Sequence, residues 1–242
     1  MNKETYLVFC IHMLDRVDLL ESLKPISDFF DKRFYFFPGV KVTDNDFNTL
    51  ILNNIISPYF RGGKDNKNSL KNEFGCAIAH FNLWKKIIDE KIEYALILED
   101  GILFNKEIYN DTIEHIIELI KKKDIIFINN TFRYEVVNNK KKLNGYSTNG
   151  YFLSLSGAQK LLQKCIPLLF PIDIQIRKLC NNNNNINYAL IPNIITRNVH
   201  IQHSIDTKIN QNHNEYNLND TQNINNLLER IILKSGNLFD LL

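Results

Sequence analysis

The sequence predicts an α/β fold in which a mostly parallel sheet is flanked by helices on both faces. Leu7 to Ile11, Tyr94 to Leu98 and Asp124 to Asn129 are short, nearly continuous apolar runs, the pattern of strands buried on both sides. They alternate with longer stretches whose apolar residues recur at helical spacing, as in a succession of β-α units. The 242 residues suffice for one large domain or two small ones, and for a core that needs no disulfide staples.

Leu7 to Ile11 is the first strand and Val17 to about Phe30 the first helix. Phe34 to Phe37 is a second strand, stopped by Pro38-Gly39. Thr43-Asp44-Asn45-Asp46 carries a capping pattern for a helix to about Ile56. Pro58 to Lys71, with Gly62-Gly63, reads as a polar loop. From about Asn72 to Glu90, Phe74, Ala77, Ile78, Phe81 and Ile88 mark one face of a helix. The strand from Tyr94 runs into Glu99-Asp100-Gly101. A helix over about Asn110 to Lys122 precedes the strand at Asp124 to Asn129, and Asn138 to Leu143 reads as a polar turn. Tyr151 to Leu155 is a strand, and Ser156-Gly157-Ala158-Gln159 fits a capping box for a helix that stops before Pro167. Asn181 to Asn185 is a low-complexity loop, and Tyr188 to Ile191 a late strand. Residues 1–206 are read as one domain and 207–242 as an Asn-rich tail, helical near Ile224 to Leu233.

Composition excludes several functions. The formal net charge is +2 and no basic stripe carries interleaved aromatics, which argues against nucleic acid. Cys10, Cys76, Cys165 and Cys180 have no paired spacing, which fits a reducing compartment rather than a disulfide framework or zinc ribbon. The apolar run after the N-terminus is too short for a signal-peptide core, and no stretch approaches the roughly 20 apolar residues of a membrane span. The expected location is cytoplasmic, with any membrane contact peripheral, on the inner face of the inner membrane. Lys121-Lys122-Lys123 and Lys140-Lys141-Lys142 read as solvated ends that also suit an anionic lipid surface.

In a mostly parallel sheet, ligands bind beyond the carboxyl ends of the strands. Glu99 and Asp100 end the most hydrophobic strand, where charge is costly to bury without a partner. Neighbouring strand residues face opposite ways, so the two carboxylates cannot share one task. The functional reading is a nucleotide-sugar site: one carboxylate on the ribose or sugar, the other on a divalent cation at the diphosphate, with oxygen ligands suited to Mg2+ or Mn2+. The alternative is a strand end whose carboxylates are merely solvated.

Glu73 to Ile87 reads EFGCAIAHFNLWKKI and is followed by Tyr94 to Asp100, YALILED. Together they resemble the signature of glycosyltransferase family 25, the family of lipooligosaccharide and collagen galactosyltransferases. That pattern is Glu-x-Gly-Cys, then Ser/Thr-His-x-x-x-Trp, then an apolar strand ending Glu-Asp-Asp. Leu14-Asp15-Arg16, Phe36 to Val40, Gly150 to Ala158 and Pro171-Ile172-Asp173 resemble further family segments in order, so the likeness covers about Leu7 to His203.

The resemblance implies a GT-A-like fold and inverting transfer of galactose or a related sugar from a UDP-sugar to a lipooligosaccharide or other glycan or glycolipid acceptor. It places Asp15, Arg16, His80, Glu99 and Asp100 at the donor, and Asp173 and Asp100 in catalysis, with Asp173 as the base. Asp100 and His200 are the metal candidates. His203 is a neighbour of His200 with the same chemistry. The spacing of Cys76 and His80 also suits a metal but lacks two further ligands. Asp173 could instead cap a helix, Asp15-Arg16 could be a solvated pair, and Trp84 is read as core. The chain departs from the pattern at Ala79, where Ser or Thr is usual, and at Gly101, where the third carboxylate of Glu-Asp-Asp is missing. Three outcomes are then open: Asp100 alone serves Mn2+ or Mg2+, a cation such as Arg61, Lys64 or Arg197 replaces the metal, or the protein is an inactive sugar-nucleotide- or glycan-binding module.

Overall fold

A computed structural model describes residues 6–62, 67–138, 140–182 and 186–198. Lys64, His200, His203, the tail from 207 and its Ile224–Leu233 helix lie outside the described residues. The strands are β1 (Leu7–His12), β2 (Phe34–Pro38), β3 (Tyr94–Glu99), β4 (Ile102–Phe104), β5 (Ile125–Asn129), β6 (Arg133–Val137), β7 (Lys140–Asn144), β8 (Gly150–Ser154) and β9 (Tyr188–Arg197). The helices are α1 (Leu20–Phe30), α2 (Asp44–Leu52), α3 (Lys67–Asp89), α4 (Lys106–Ile120), α5 (Leu155–Cys165) and α6 (Ile172–Asn181).

Seven strands form one sheet in the order β2-β1-β3-β8-β5-β9-β4. β1, β2, β3, β5 and β9 run one way, and β8 and β4 run against them. The sheet alternates faces as pleating requires. Phe9, Ala95 and Ile97 join a core with the apolar faces of α3, α5 and α6. Val8, Cys10, Leu96 and Leu98 join a second core with α1 and α4. This is the expected α/β architecture with helices on both faces. β6 and β7 form a separate antiparallel hairpin.

Several boundaries differ from the sequence reading. α2 ends at Leu52 rather than near Ile56, because Asn54 turns the chain at φ 57°. Its expected cap is present: the Thr43 N–H donates to Asp46 Oδ2 at 2.7 Å. α3 begins at Lys67, inside the expected loop, since its first turn is polar and shows no apolar period. Ser154 caps α5, accepting from the Gly157 N–H at 3.0 Å. Ser156, the expected cap, instead donates to Asp124 Oδ1 at 3.2 Å. The polar segment after Phe132 is the β6-β7 hairpin rather than a turn, and the late strand runs on to Arg197.

Candidate active site

A cleft of about 490 Å³ opens along one edge of the main sheet. The carboxyl ends of β1, β3, β5 and β9 all reach this edge. β8 runs the other way, so the loop that enters it, Tyr146 to Asn149, reaches the same edge. The start of α6, packed beside α3 and α5, adds Pro171 and Asp173 to the lining.

Glu99 and Asp100 stand on the cleft floor on opposite faces of β3, and each is held by a buried histidine. Glu99 turns toward α3. Its Oε1 lies 3.0 Å from His80 Nε2 and accepts from the Thr148 hydroxyl at 2.6 Å, with Cys76 Sγ 3.9 Å away. Asp100 turns toward β1. Its Oδ2 lies 3.0 Å from His12 Nδ1 and 3.4 Å from the Met13 backbone nitrogen. In each carboxylate the contacts gather on one oxygen. Glu99 Oε2 and Asp100 Oδ1 have no hydrogen-bond partner among the described residues.

The hydrogen bonds behind Glu99 fix the tautomer of His80. Trp84 Nε1 can only donate, and it donates to Tyr151 Oη at 2.9 Å. Tyr151 and His80 are both fully buried, and Tyr151 Oη is 2.8 Å from His80 Nδ1. The tyrosine proton has His80 Nδ1 as its acceptor. The imidazole proton then sits on Nε2 and points at Glu99, which leaves every group in the chain satisfied. Burial pushes the Glu99 carboxyl up, but His80, the Thr148 hydroxyl and the Arg197 charge outweigh it and hold it below its usual value. Trp84 is core, as expected, and also anchors this chain.

Asp173 lines the cleft as the second residue of α6. It is not the N-cap, a position Pro171 occupies. Its Oδ1 accepts from the Ile174 N–H at 2.7 Å. Burial and the Glu99 charge raise its pKa against the opposing pull of the Ile174 and Ser147 backbone donors and Arg177. Cys76 is pushed well up by burial and by Glu99, so it is held as a thiol.

The other residues named from the sequence are dispersed. Arg16 lines the cleft with its guanidinium tied to both Asp18 oxygens, each at 3.0 Å. Asp15 points to solvent and pairs with Lys41 at 3.2 Å, outside the cleft lining. His80 lies behind Glu99 and reaches a ligand only through it. Arg197 lines the cleft at the end of β9, whereas Arg61 does not. Sequence reasoning missed His12, Thr148 and Asn149. Asn149 is 6% exposed, lines the cleft and has an Oδ1 without a hydrogen-bond partner among the described residues, an acceptor ready for a ligand donor.

Cys76, His80 and Glu99 bring their ligand atoms within 4.8 Å of one another, a set that could hold a metal ion. The Cys-His pair lacked partners in the sequence, and β3 supplies one. A metal on His80 Nε2 would displace that proton to Nδ1 and strand the buried Tyr151 hydroxyl. A hard cation prefers oxygens, and Mg2+ is commonly held by one or two carboxylates together with substrate phosphates. The free Asp100 Oδ1 fits that pattern.

Residues 20–176, more than half of the chain, match the family described as Glycosyltransferase family 25 (LPS biosynthesis protein), and the chain belongs to that family. It is similar to procollagen galactosyltransferase 1 of Danio rerio, 28% identical over 118 residues that make up 43% of this chain and 19% of the relative. It is similar to lipooligosaccharide biosynthesis protein lex-1 of Haemophilus influenzae, 30% identical over 146 residues, 51% of this chain and 48% of the relative. A glycosyltransferase 25 family member of Drosophila melanogaster is 26% identical over 178 residues, 69% of this chain and 29% of the relative. The chain thus spans about a fifth of the collagen-type relative and about half of lex-1. Among solved structures, a cytidylyltransferase from Leptospira borgpetersenii aligns at a TM-score of 0.46 and 11% identity, over 88% of this chain and 99% of that one. No helix among the described residues is long and apolar enough to cross a membrane.

Proposed function

We propose that the protein is an inverting glycosyltransferase that moves galactose or a related sugar from a UDP-sugar to a lipooligosaccharide or other glycan acceptor, working in the cytoplasm with peripheral contact at the inner face of the inner membrane. The observation that carries this reading is the convergence, at the carboxyl edge of the sheet, of two histidine-anchored carboxylates with Asp173 in the same cleft lining. The free oxygens of Glu99 and Asp100 are acceptors for ribose or sugar hydroxyls. Arg16 and Arg197 bring positive charge to the diphosphate.

In this reading Asp173 takes the proton of the acceptor hydroxyl as that oxygen attacks the anomeric carbon. The bond to UDP breaks and the configuration inverts. A carboxyl raised by burial holds a proton more strongly than an ordinary one, which suits a general base near neutral pH. Mn2+ or Mg2+, held through Asp100, would offset the charge that develops on the leaving diphosphate.

A donor screen for UDP release, with and without EDTA, tests this directly. Release from at least one UDP-sugar is expected, and Asp100→Ala and Asp173→Ala should each abolish it in folded protein. Full rates in both variants would refute the site assignment. A second reading, an inactive sugar-nucleotide-binding module, is favoured by Gly101. It predicts UDP binding without turnover across a broad acceptor panel.

A further inference from the structure

We propose that His12 is the positioning residue of Asp100, holding one carboxylate oxygen so that the other stays turned into the cleft. The role rests on the reading above, in which Asp100 contacts the donor. His12 is the last residue of β1 and is 2% exposed. Its ring lies 5.6 Å, centre to centre, from Phe36, and its carbonyl accepts from the Gly39 N–H at 2.8 Å, so main chain and ring are both fixed. An ionised carboxylate only accepts, so the proton that His12 shares with Asp100 Oδ2 resides on Nδ1. Met13 aims its backbone nitrogen at the same oxygen. The Asp100 backbone N–H donates to the Ile11 carbonyl at 3.1 Å, so the end of β1 grips main chain and side chain together.

The two anchoring histidines use opposite ring nitrogens. His80 reaches Glu99 through Nε2, and His12 reaches Asp100 through Nδ1. That difference supplies a test. An asparagine amide nitrogen sits where Nδ1 sits, whereas a glutamine amide nitrogen falls nearer the place of Nε2. His12→Asn should therefore keep most of kcat/KM and of UDP affinity. His12→Gln and His12→Phe should each lose on the order of ten- to a hundredfold, the scale of a reacting group misplaced by about 1 Å.

The measurements are steady-state UDP release and calorimetric titration with UDP, on variants whose melting curves match. The calorimetric titration is repeated in an Asp100→Asn background, where His12→Gln should cause no further loss of UDP affinity, because the group it misplaces is already altered. Equal behaviour of the Asn and Gln variants, or losses that add to those of Asp100→Asn, would overturn the role of His12 while leaving the proposed function standing. A parent protein that neither binds UDP nor releases it sinks that function and takes the role of His12 with it.

Discussion

The carbonyl oxygen of Val40 lies 2.2 Å from where a Cβ on Gly75 would stand. The glycine of the Glu-x-Gly-Cys motif is therefore the point at which α3 rests on the backbone that follows β2. This contact seats the first turns of the helix against the cleft, with Glu73 and Cys76 on its lining. A main-chain neighbour has no rotamer by which to escape. Gly75→Ala should cost about 1–3 kcal/mol of stability, the usual penalty for overpacking, or more, read from the urea midpoint. An unchanged midpoint would mean that α3 shifts freely.

Tyr151→Phe keeps the ring and removes the hydroxyl that joins Trp84 to His80. It leaves a buried donor and a buried acceptor unpaired, at about 1–3 kcal/mol for each group left unsatisfied. It also frees His80 to carry its proton on either nitrogen. Stability and UDP affinity should fall together. If stability falls and affinity does not, the chain of hydrogen bonds is structural only.

Acid should affect two carboxyl groups of the cleft oppositely. Glu99 is held below its usual value, so the stability it adds is present above the unfolded pKa and lost as pH falls through the folded one. Asp173 is raised, so its contribution is present below the unfolded pKa and lost as pH rises through the folded one. At neutral pH Asp173→Asn should thus be more stable than the parent, and Glu99→Gln less stable. Both differences should shrink toward pH 3. Urea unfolding from pH 3 to 8 reads both, and the same sign in the two variants would contradict the assignment.

Gly101 has φ 74°, and among the described residues nothing lies within 4 Å of a Cβ built on it, so a side chain there meets conformational strain but no described neighbour. Gly101→Asp should cost about 1–2 kcal/mol for the left-handed backbone. In return it adds a carboxylate beside Asp100, and Mn2+ should then stimulate UDP release more strongly than in the parent. Absence of any added metal response would show that a cation does not bind at this tip.

The floor of the site was legible because it follows from period and topology. An apolar strand ending in two carboxylates, read with a spacing of two, places Glu99 and Asp100 on opposite faces, and the structure has them so. His12 was not legible, because a histidine at the end of an apolar run looks like any other strand residue until β3 is placed beside β1. Asn149 and Thr148 belong to a loop whose importance depends on β8 running against its neighbours, which a continuous apolar run does not reveal. The hairpin of β6 and β7 escaped notice for another reason. Its side chains are mostly exposed, so backbone pairing alone defines it and no apolar alternation marks it. Asp15 shares the Leu-Asp-Arg motif just past β1 with Arg16, but the motif does not say which way each side chain points, and here Asp15 turns outward to Lys41.

The reversed direction of β8 also bears on assembly during translation. Among the described residues, β2-β1-β3 and β5-β9-β4 join into one sheet through that strand. A nascent chain that has not yet released Gly150 to Ser154 from the ribosome also lacks β9, so β3 has one edge without its partner and β5 has both, the kind of edge that invites pairing with another chain. Synthesis stalled in that interval would leave the protein at its most aggregation-prone, with the groove between the two halves not yet built.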